Sequence, residues 1–422
     1  MNEKLLNLVI NEVSTPLFVY DYDIIKHQYI KLSNALPSNS KIYYSVKANP
    51  SLAICQVIKT LTDYAEVSSL SELLCVLKCG FQNENILFSG PGKMPDELEY
   101  AIKHNVTLNV ESLGETLCIN KICSMLGKKA NVMIRLNPNF SNRQYGITMT
   151  GVSSQFGVDI ADFDHLFRII KEEKWISIEG FSVYLGSQIM DANVIVDNTK
   201  KILELYVKLM TDYQIEVKKM NFGGGFGVSY YDDRELECSK LEIGLNELFE
   251  KYHSILYGVD IIFESGRYLL SEAGAFVTKV LYKKKSKDKE YLICDGGLNN
   301  ILISAFYTRE LRGNFPIDVC TSREKFERIE YTVCGPLCTP NDKFGCNVLL
   351  PTVNEGDRLI IKKVGAYGYT YSPVFFISHR QPPEILFIND HYYIIRSSTT
   401  DSDYFYKQNL LPEKTLSGGK NL

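Results

Sequence analysis

The sequence predicts an α/β plus β fold: a (β/α)8 TIM-like barrel with a C-terminal antiparallel β domain. Three observations carry this. Short apolar runs of strand length alternate with helical stretches over roughly 230 residues, the pattern of parallel strands joined by crossovers. The alternation yields about eight strands, which favours a closed barrel over an open sheet. After about residue 270 the texture changes to strand-like runs punctuated by Gly, Pro and Asn at short spacing.

The first barrel strand is read at 42–46, Ile-Tyr-Tyr-Ser-Val, followed by an apolar helical segment at 52–61. Further strands are expected at 64–67, 86–88, 107–110, 132–136, 178–184, 219–222 and 260–264. Helices between them are expected at 71–79, 95–103, 113–126, 162–173, 194–213 and 240–255. Beyond the barrel, strands are expected at 275–282, 291–294, 358–364 and 392–396. The lysine-rich run at 283–289 reads as a solvated hairpin tip. The expected domains are a barrel over residues 24–270 and a β domain over 271–422, with residues 1–23 joining the β domain. No internal repeat or low-complexity tract is present.

Composition narrows the function. A chain of 422 residues is too long for one typical domain and needs no staple for its core. Lys and Arg total 46 against 50 Asp and Glu, a net charge of −4, so no basic surplus points to nucleic acid. The 27 Tyr and 21 Phe argue against long disorder. No signal peptide and no apolar run of membrane-spanning length is recognised, so a cytoplasmic protein without membrane contact is expected. The 11 Cys form no CxxC pair, and only 6 His are present. Free thiols and no metal are therefore expected.

Five blocks carry chemistry. In Tyr43-Tyr44-Ser45-Val46-Lys47-Ala48-Asn49-Pro50, Lys47 ends an apolar strand where barrel active sites lie. Desolvation there would lower its pKa and favour a nucleophilic amine, the alternative being a lysine that snorkels to water. In Asn221-Phe222-Gly223-Gly224-Gly225-Phe226-Gly227, three consecutive glycines let backbone N–H groups approach an anion, or simply turn the chain. Phe263-Glu264-Ser265-Gly266-Arg267-Tyr268 offers a carboxylate and an anion-binding guanidinium, or a surface ion pair. Cys334-Gly335-Pro336-Leu337-Cys338-Thr339-Pro340-Asn341-Asp342 would present Cys338 on a rigid turn, or bury it as an inert thiol. Val364-Gly365-Ala366-Tyr367-Gly368-Tyr369 is a turn presenting Tyr367.

Taken in order, these blocks resemble the fold-type III decarboxylases that use pyridoxal 5'-phosphate, the family of diaminopimelate and ornithine decarboxylases, with an alanine racemase-like fold. The resemblance runs from about Thr15 to Leu386. It is strongest to a subgroup containing the butirosin-pathway decarboxylase, which acts on glutamyl groups on an acyl-carrier protein, and siderophore-pathway decarboxylases. Shared features include Phe88-Ser89-Gly90-Pro91-Gly92-Lys93, Glu264-Ser265-Gly266-Arg267-Tyr268-Leu269-Leu270 and Gly335-Pro336-Leu337-Cys338-Thr339-Pro340, with Gly365-Ala366-Tyr367-Gly368 and Ser372-Pro373.

The resemblance implies roles. Lys47 matches the lysine that holds the cofactor covalently. Gly223, Gly224, Gly225, Ser187, Gly266, Arg267 and Tyr367 match groups around its phosphate. Glu264 matches the carboxylate at the pyridine nitrogen, which keeps that nitrogen protonated and deepens the electron sink. Glu66 and Arg135 match residues near the reactive carbon and the ring hydroxyl. Cys338 matches the thiol that returns a proton to Cα, a thiol being mostly protonated at neutral pH. In the family that cysteine comes from the second subunit, so an obligate homodimer with shared active sites is implied.

Departures shape the substrate expectation. Tyr184 stands where the family usually stacks a His on the cofactor ring. Thr339 replaces the acid that follows the catalytic cysteine in diaminopimelate and ornithine decarboxylases, where it helps to recognise a distal amine. Arg309 and Arg312 lie in the region that reads the distal end of the substrate, with Thr339 and Asp342 as further candidate contacts. Arginine suits a carboxylate or phosphate, the alternative being two solvated side chains. The expected activity is decarboxylation of an amino acid with an acidic, acylated or carrier-linked distal end, with a place in secondary-metabolite biosynthesis. A free diamino acid (diaminopimelate, lysine or ornithine) is the alternative substrate. Two other classes fit the residues less well. A racemase of this fold places Arg at the ring nitrogen, where Glu264 stands. A non-catalytic cofactor-binding regulator would be expected to lack Lys47, Arg267 or Cys338.

Overall fold

The computed structural model describes residues 3–140, 147–148, 151–302, 314–320, 327–412 and 415. Strand β1 (Leu17–Asp21) lies outside the barrel. The barrel strands are β2 (Ser40–Ser45), β3 (Ala65–Val67), β4 (Ile86–Phe88), β5 (Thr107–Val110), β6 (Ala130–Asn137), β7 (Ile176–Ser182), β8 (Lys219–Asn221) and β9 (Asp260–Ser265). All eight run parallel, each beside its sequence neighbour, and β9 returns to β2 to close the ring.

The crossover helices begin where local chemistry dictates. Ser69 and Ser112 each cap a helix by accepting the N–H of the glutamate three residues on, Glu72 and Glu115, both at 3.2 Å. Pro95 opens the helix Pro95–Lys103, where its missing N–H costs nothing. Gly127, at φ +63°, ends the helix Leu113–Leu126 in a left-handed cap.

Inside the barrel, Tyr43, Leu87, Met133 and Ile262 form a buried apolar layer. Strand side chains repeat every two residues, so the next positions facing the same way are Ser45, Ser89, Arg135 and Glu264. The interior thus changes from apolar to polar within one step towards the C-terminal ends of the strands.

The second sheet contains β1, β10 (Gly274–Ser286), β11 (Lys289–Cys294), β12 (Ile317–Cys320), β13 (Arg328–Cys334), β14 (Lys343–Pro351), β15 (Arg358–Lys362), β16 (Glu384–Ile388) and β17 (His391–Arg396). Its main path is β14-β13-β11-β10-β1-β16-β17, with β15 on β10 and β12 on β15. The pairings are antiparallel except two, β1 with β16 and β11 with β13. The lysine run forms the β10–β11 hairpin, with Lys287 at φ +57° in its turn. Helix Glu3–Glu12 lays Leu5, Leu6, Val9 and Ile10 against Leu17, Val277, Ile360 and Phe387 of this sheet. Among the described residues no helix is long and apolar enough to cross a membrane.

Candidate active site

The C-terminal ends of the barrel strands and one loop of the second sheet enclose a cavity of about 410 Å3. Lys47 sits in a single helical turn directly after β2, with its Nζ 2.8 and 3.1 Å from the two carboxylate oxygens of Glu66 on β3. Ser68 also donates to Glu66, at 3.2 Å. Burial pulls the Lys47 ammonium down, but the carboxylates of Glu66 and Glu264 outweigh it and hold it above the usual lysine range. This corrects the expectation that desolvation would lower it. Burial likewise pushes Glu66 up, and the Lys47 charge reverses that, leaving Glu66 below the usual carboxylate range. The Lys47 side chain remains 42% exposed, which leaves the amine reachable from the cavity.

Glu264 lies near the end of β9 and accepts a hydrogen bond from Asn221 Nδ2 at 2.7 Å. Burial, then the nearby Glu66 charge, pushes its carboxyl up to about 7. Asn221 Oδ1 accepts the N–H of Gly223 at 2.8 Å, so one buried amide orients both the carboxylate and the glycine loop. The loop has no room for side chains. A Cβ at Gly224 would come within 2.2 Å of the Glu264 carbonyl oxygen, and one at Gly225 within 2.3 Å of Gly186 O. Gly223 and Gly225 also have φ of +68° and +100°, which glycine adopts without strain.

Arg267 opens the short helix after β9 and is buried; it donates to Tyr230 OH at 2.8 Å and lies 4.7 Å from the Tyr367 ring centroid. Tyr367 arrives from the loop after β15, fixed by its N–H to Ala48 O at 2.7 Å. The second sheet is thereby stitched to the Lys47 turn. Gly266 packs on the same turn, where a Cβ would meet that of Ala48 at 2.8 Å. Tyr184 and Ser187, on the segment after β7, line the cavity, and burial raises the Tyr184 hydroxyl pKa.

Arg135, on β6, also lines the cavity. Its Nη1 is 3.0 and 3.1 Å from the two oxygens of Glu111, and its guanidinium stacks 4.7 Å from the Phe156 ring centroid. Glu111 also accepts the N–H groups of Gly90 at 2.9 Å and Gly157 at 3.1 Å. Beside it, Lys93 donates to Gly90 O, Asn109 O and Glu115 at 2.6, 2.9 and 2.5 Å. The sequence motifs assign no role to Asn221, Glu111, Tyr230 or Lys93. Asn221 and Glu111 are polar residues at or just past the C-terminal end of a barrel strand, a position that would have flagged them.

Not every expected residue meets at this cavity. Cys338 is exposed on the loop after β13, and neither it nor Thr339 lines the cavity of its own chain. Asp342, expected at the substrate, is buried instead, accepting the N–H groups of Leu298 and Leu337, each at 2.7 Å. Both its oxygens are engaged in holding the Cys338 loop, so Asp342 is a scaffold of that loop. Gly297 and Gly335 are required beside it, since a Cβ at either would come within 2.6 Å of the carboxylate. Arg309 and Arg312 lie outside the described residues.

The donor set fits pyridoxal phosphate. An amine at Lys47, a carboxylate at Glu264, and a glycine loop without room for side chains beside a buried guanidinium match an aldehyde, a ring nitrogen and a phosphate. Among the described residues no cluster of side chains fits a metal ion.

Comparison with known proteins agrees. The family model for the pyridoxal-binding domain of pyridoxal-dependent decarboxylases matches residues 22–271. The L-glutamyl-[BtrI acyl-carrier protein] decarboxylase of Niallia circulans is 35% identical over 395 residues, covering 92% of both chains. Diaminopimelate decarboxylase of Helicobacter pylori is 33% identical over 359 residues, 84% of this chain and 86% of the relative. The crystal structure of the H. pylori enzyme with L-lysine superposes with a TM-score of 0.85 at 30% identity, over 96% of this chain and 98% of that one. Diaminopimelate decarboxylase from M. jannaschii gives 0.89 at 27% identity, over 97% and 95%.

Proposed function

This chain belongs to the family of pyridoxal-dependent decarboxylases, and we propose that it removes CO2 from an amino acid whose distal end is acidic, acylated or linked to a carrier protein, releasing an amine. Its cofactor is pyridoxal 5'-phosphate and its reaction class is decarboxylation. The observation that carries the substrate reading is Thr339. The position after Cys338 has no acid with which to receive a distal amine. The likeness to a decarboxylase of a carrier-bound glutamyl group supports the same reading. A second reading, a free diamino acid, is favoured by the likeness to diaminopimelate decarboxylases.

In this reading each residue has a physical task. When bound, pyridoxal phosphate supplies an electron sink for the pair released as the Cα–carboxylate bond breaks. Glu66 holds the Lys47 ammonium at 2.8 Å and so positions the amine that would take the cofactor. Glu264, oriented by Asn221, keeps a proton at the ring nitrogen. The Arg267 guanidinium and the N–H groups of the glycine loop hold the phosphate. Tyr184 and Arg135, which line the same cavity, would face the ring and its hydroxyl.

Cys338 returns the proton to Cα. Its position away from its own cavity supports a homodimer in which each site borrows the thiol of the partner. The exposed side chains of Phe375, Phe376, Ile377 and Phe405 are apolar area that such a dimer could cover. All 11 cysteines are free thiols, in keeping with a cytoplasmic setting. A role in secondary-metabolite biosynthesis completes the reading.

The test is a CO2-release screen of the reconstituted enzyme with glutamyl, citryl and carrier-linked amino acids beside free lysine, ornithine and diaminopimelate. Release from an acylated or acidic substrate is expected. Efficient turnover of a free diamino acid, with the conjugates inert, would overturn the substrate reading and leave the cofactor assignment standing.

A further inference from the structure

Behind the Lys47 turn, outside the cavity, lie three thiols that the reaction does not use. Cys55 is buried on the helix Leu52–Lys59. Cys75 lies on the neighbouring helix Leu70–Lys78, and Cys79 caps its end; both are half-buried. The Cys75 Sγ is 3.7 Å from the Cys55 Sγ and 3.2 Å from Pro50 O. Cys79 Sγ is 3.3 Å from Leu52 O, and Cys55 Sγ is 3.9 Å from Asn49 O. The cluster therefore rests on the backbone carbonyls of the segment that follows Lys47.

We propose that Cys55 and Cys75 form a peroxide-sensitive thiol pair whose disulfide would link the two helices behind the Lys47 turn. The Cys75 thiolate attacks a peroxide oxygen, breaking the O–O bond and giving a sulfenic acid; with hydrogen peroxide the hydroxide that leaves becomes water on protonation. The Cys55 thiol then attacks that sulfur, forming the S–S bond and releasing a second water. Two thiols are oxidised and one peroxide is reduced.

Geometry places this pair within reach. Its sulfurs need only close from 3.7 Å to the S–S bond length of about 2.05 Å. Cys75 and Cys79 are four residues apart on one helix, where Cβ atoms are about 5–6 Å apart, against the 3.5–4.5 Å a disulfide needs. Acidity agrees. The neighbouring Cys55 thiol holds Cys75 below the usual thiol range and Cys79 down to about 7. Hydrogen bonds to the other two sulfurs, more than burial, push Cys55 well up, so Cys55 stays protonated while Cys75 meets the peroxide.

The consequence reaches the site through one turn. Ala48 O receives the Tyr367 N–H at 2.7 Å, and Asn49 donates to Gly365 O at 3.5 Å. Drawing Cys55 and Cys75 together removes their S–H groups from Asn49 O and Pro50 O and pulls on this turn. The disulfide stands independently of the decarboxylase reading, on which only the expected loss of activity rests.

The holoenzyme is treated with hydrogen peroxide, alkylated without reductant and digested with trypsin, which places Cys55 in peptide 48–59, Cys75 in 60–78 and Cys79 in 79–93. A cross-linked 48–59/60–78 pair, cleaved by dithiothreitol, is expected, with a several-fold loss of activity that dithiothreitol restores. Cys75→Ser should abolish both, and Cys55→Ala should halt Cys75 at the sulfenic acid, detected by dimedone. A disulfide joining Cys79 instead, or oxidation confined to Cys338 and Cys346, would overturn the proposal.

Discussion

Asn221 ties the Glu264 carboxylate to the glycine loop, and Asn221→Ala tests the site directly. The residue is fully buried, so its hydrogen bonds have no water to replace them. The substitution removes the 2.7 Å bond to Glu264 and the 2.8 Å bond from the Gly223 N–H. A hydrogen bond to a charged group contributes about 1.5–3 kcal/mol, and each 1.4 kcal/mol is a factor of ten. If only the bond to Glu264 is expressed in cofactor binding, pyridoxal phosphate should bind about 10–150-fold more weakly. Loss of the donor also favours the neutral carboxyl, so the Glu264 pKa should rise further above about 7. The assay is an absorbance titration of cofactor into cofactor-free protein, with circular dichroism confirming the fold. Asn221→Asp is the control. It keeps an acceptor for Gly223 but sets a second carboxylate against Glu264, and should bind no better than the alanine variant. A folded Asn221→Ala protein that binds cofactor within about threefold of wild type would refute the reasoning.

Four further outcomes are expected. In the cofactor-free protein the Glu264 pKa lies above its ordinary value of 4.5, so the folded state holds the extra proton between 4.5 and about 7. That contribution is lost as pH rises through this window, so Tm should fall across it, and Glu264→Gln should flatten the slope in differential scanning calorimetry. Glu111→Gln leaves the buried Arg135 guanidinium poorly compensated and should cost about 3–5 kcal/mol in urea unfolding, with much of the loss recovered when Arg135 is replaced by Met in the same protein. Cys338→Ala should still release CO2 while amine output falls by about 10²–10⁴, read by parallel CO2 and amine assays; unchanged amine output would remove Cys338 as the proton donor. Mixing Lys47→Ala and Cys338→Ala proteins should restore amine formation to at most about a quarter of wild type, because random exchange makes half the dimers mixed and gives each one intact site.

The barrel was legible because its signals are local. All eight strands and the crossover helices are where apolar periodicity placed them, usually to within about two residues. The second sheet was less so. Strands β1, β12, β13, β14 and β16 have no counterpart among the expected strands, and the parallel pairings of β1 with β16 and β11 with β13 carry no local mark. The same division holds at the site. Lys47, Glu264 and Arg267 stand in recognisable blocks, but the direction of the Lys47 shift depends on Glu66, which reaches it only through the pairing of β2 with β3. Glu111 matters because it joins Gly90, Arg135 and Gly157, three segments that meet only in the folded barrel. Asp342 looked like a substrate contact from its place near Cys338. Its burial under Leu298 and Leu337 is a property of the loop's tertiary packing.

The parallel pairing of β1 with β16 has a consequence for biosynthesis. Phe18 sits opposite Glu384, and Asp21 opposite Phe387. At about 5–20 residues per second, the ribosome makes the second partner roughly 20–70 s after the first. During that time the β1 edge facing β16 has unpaired backbone groups, even after β10 has paired with its other side. The nascent chain therefore carries an adhesive edge from the time β1 is made until β16 follows it. Truncation before residue 384 should leave that edge permanently open, and such fragments should aggregate or engage chaperones even though their barrel segment is intact.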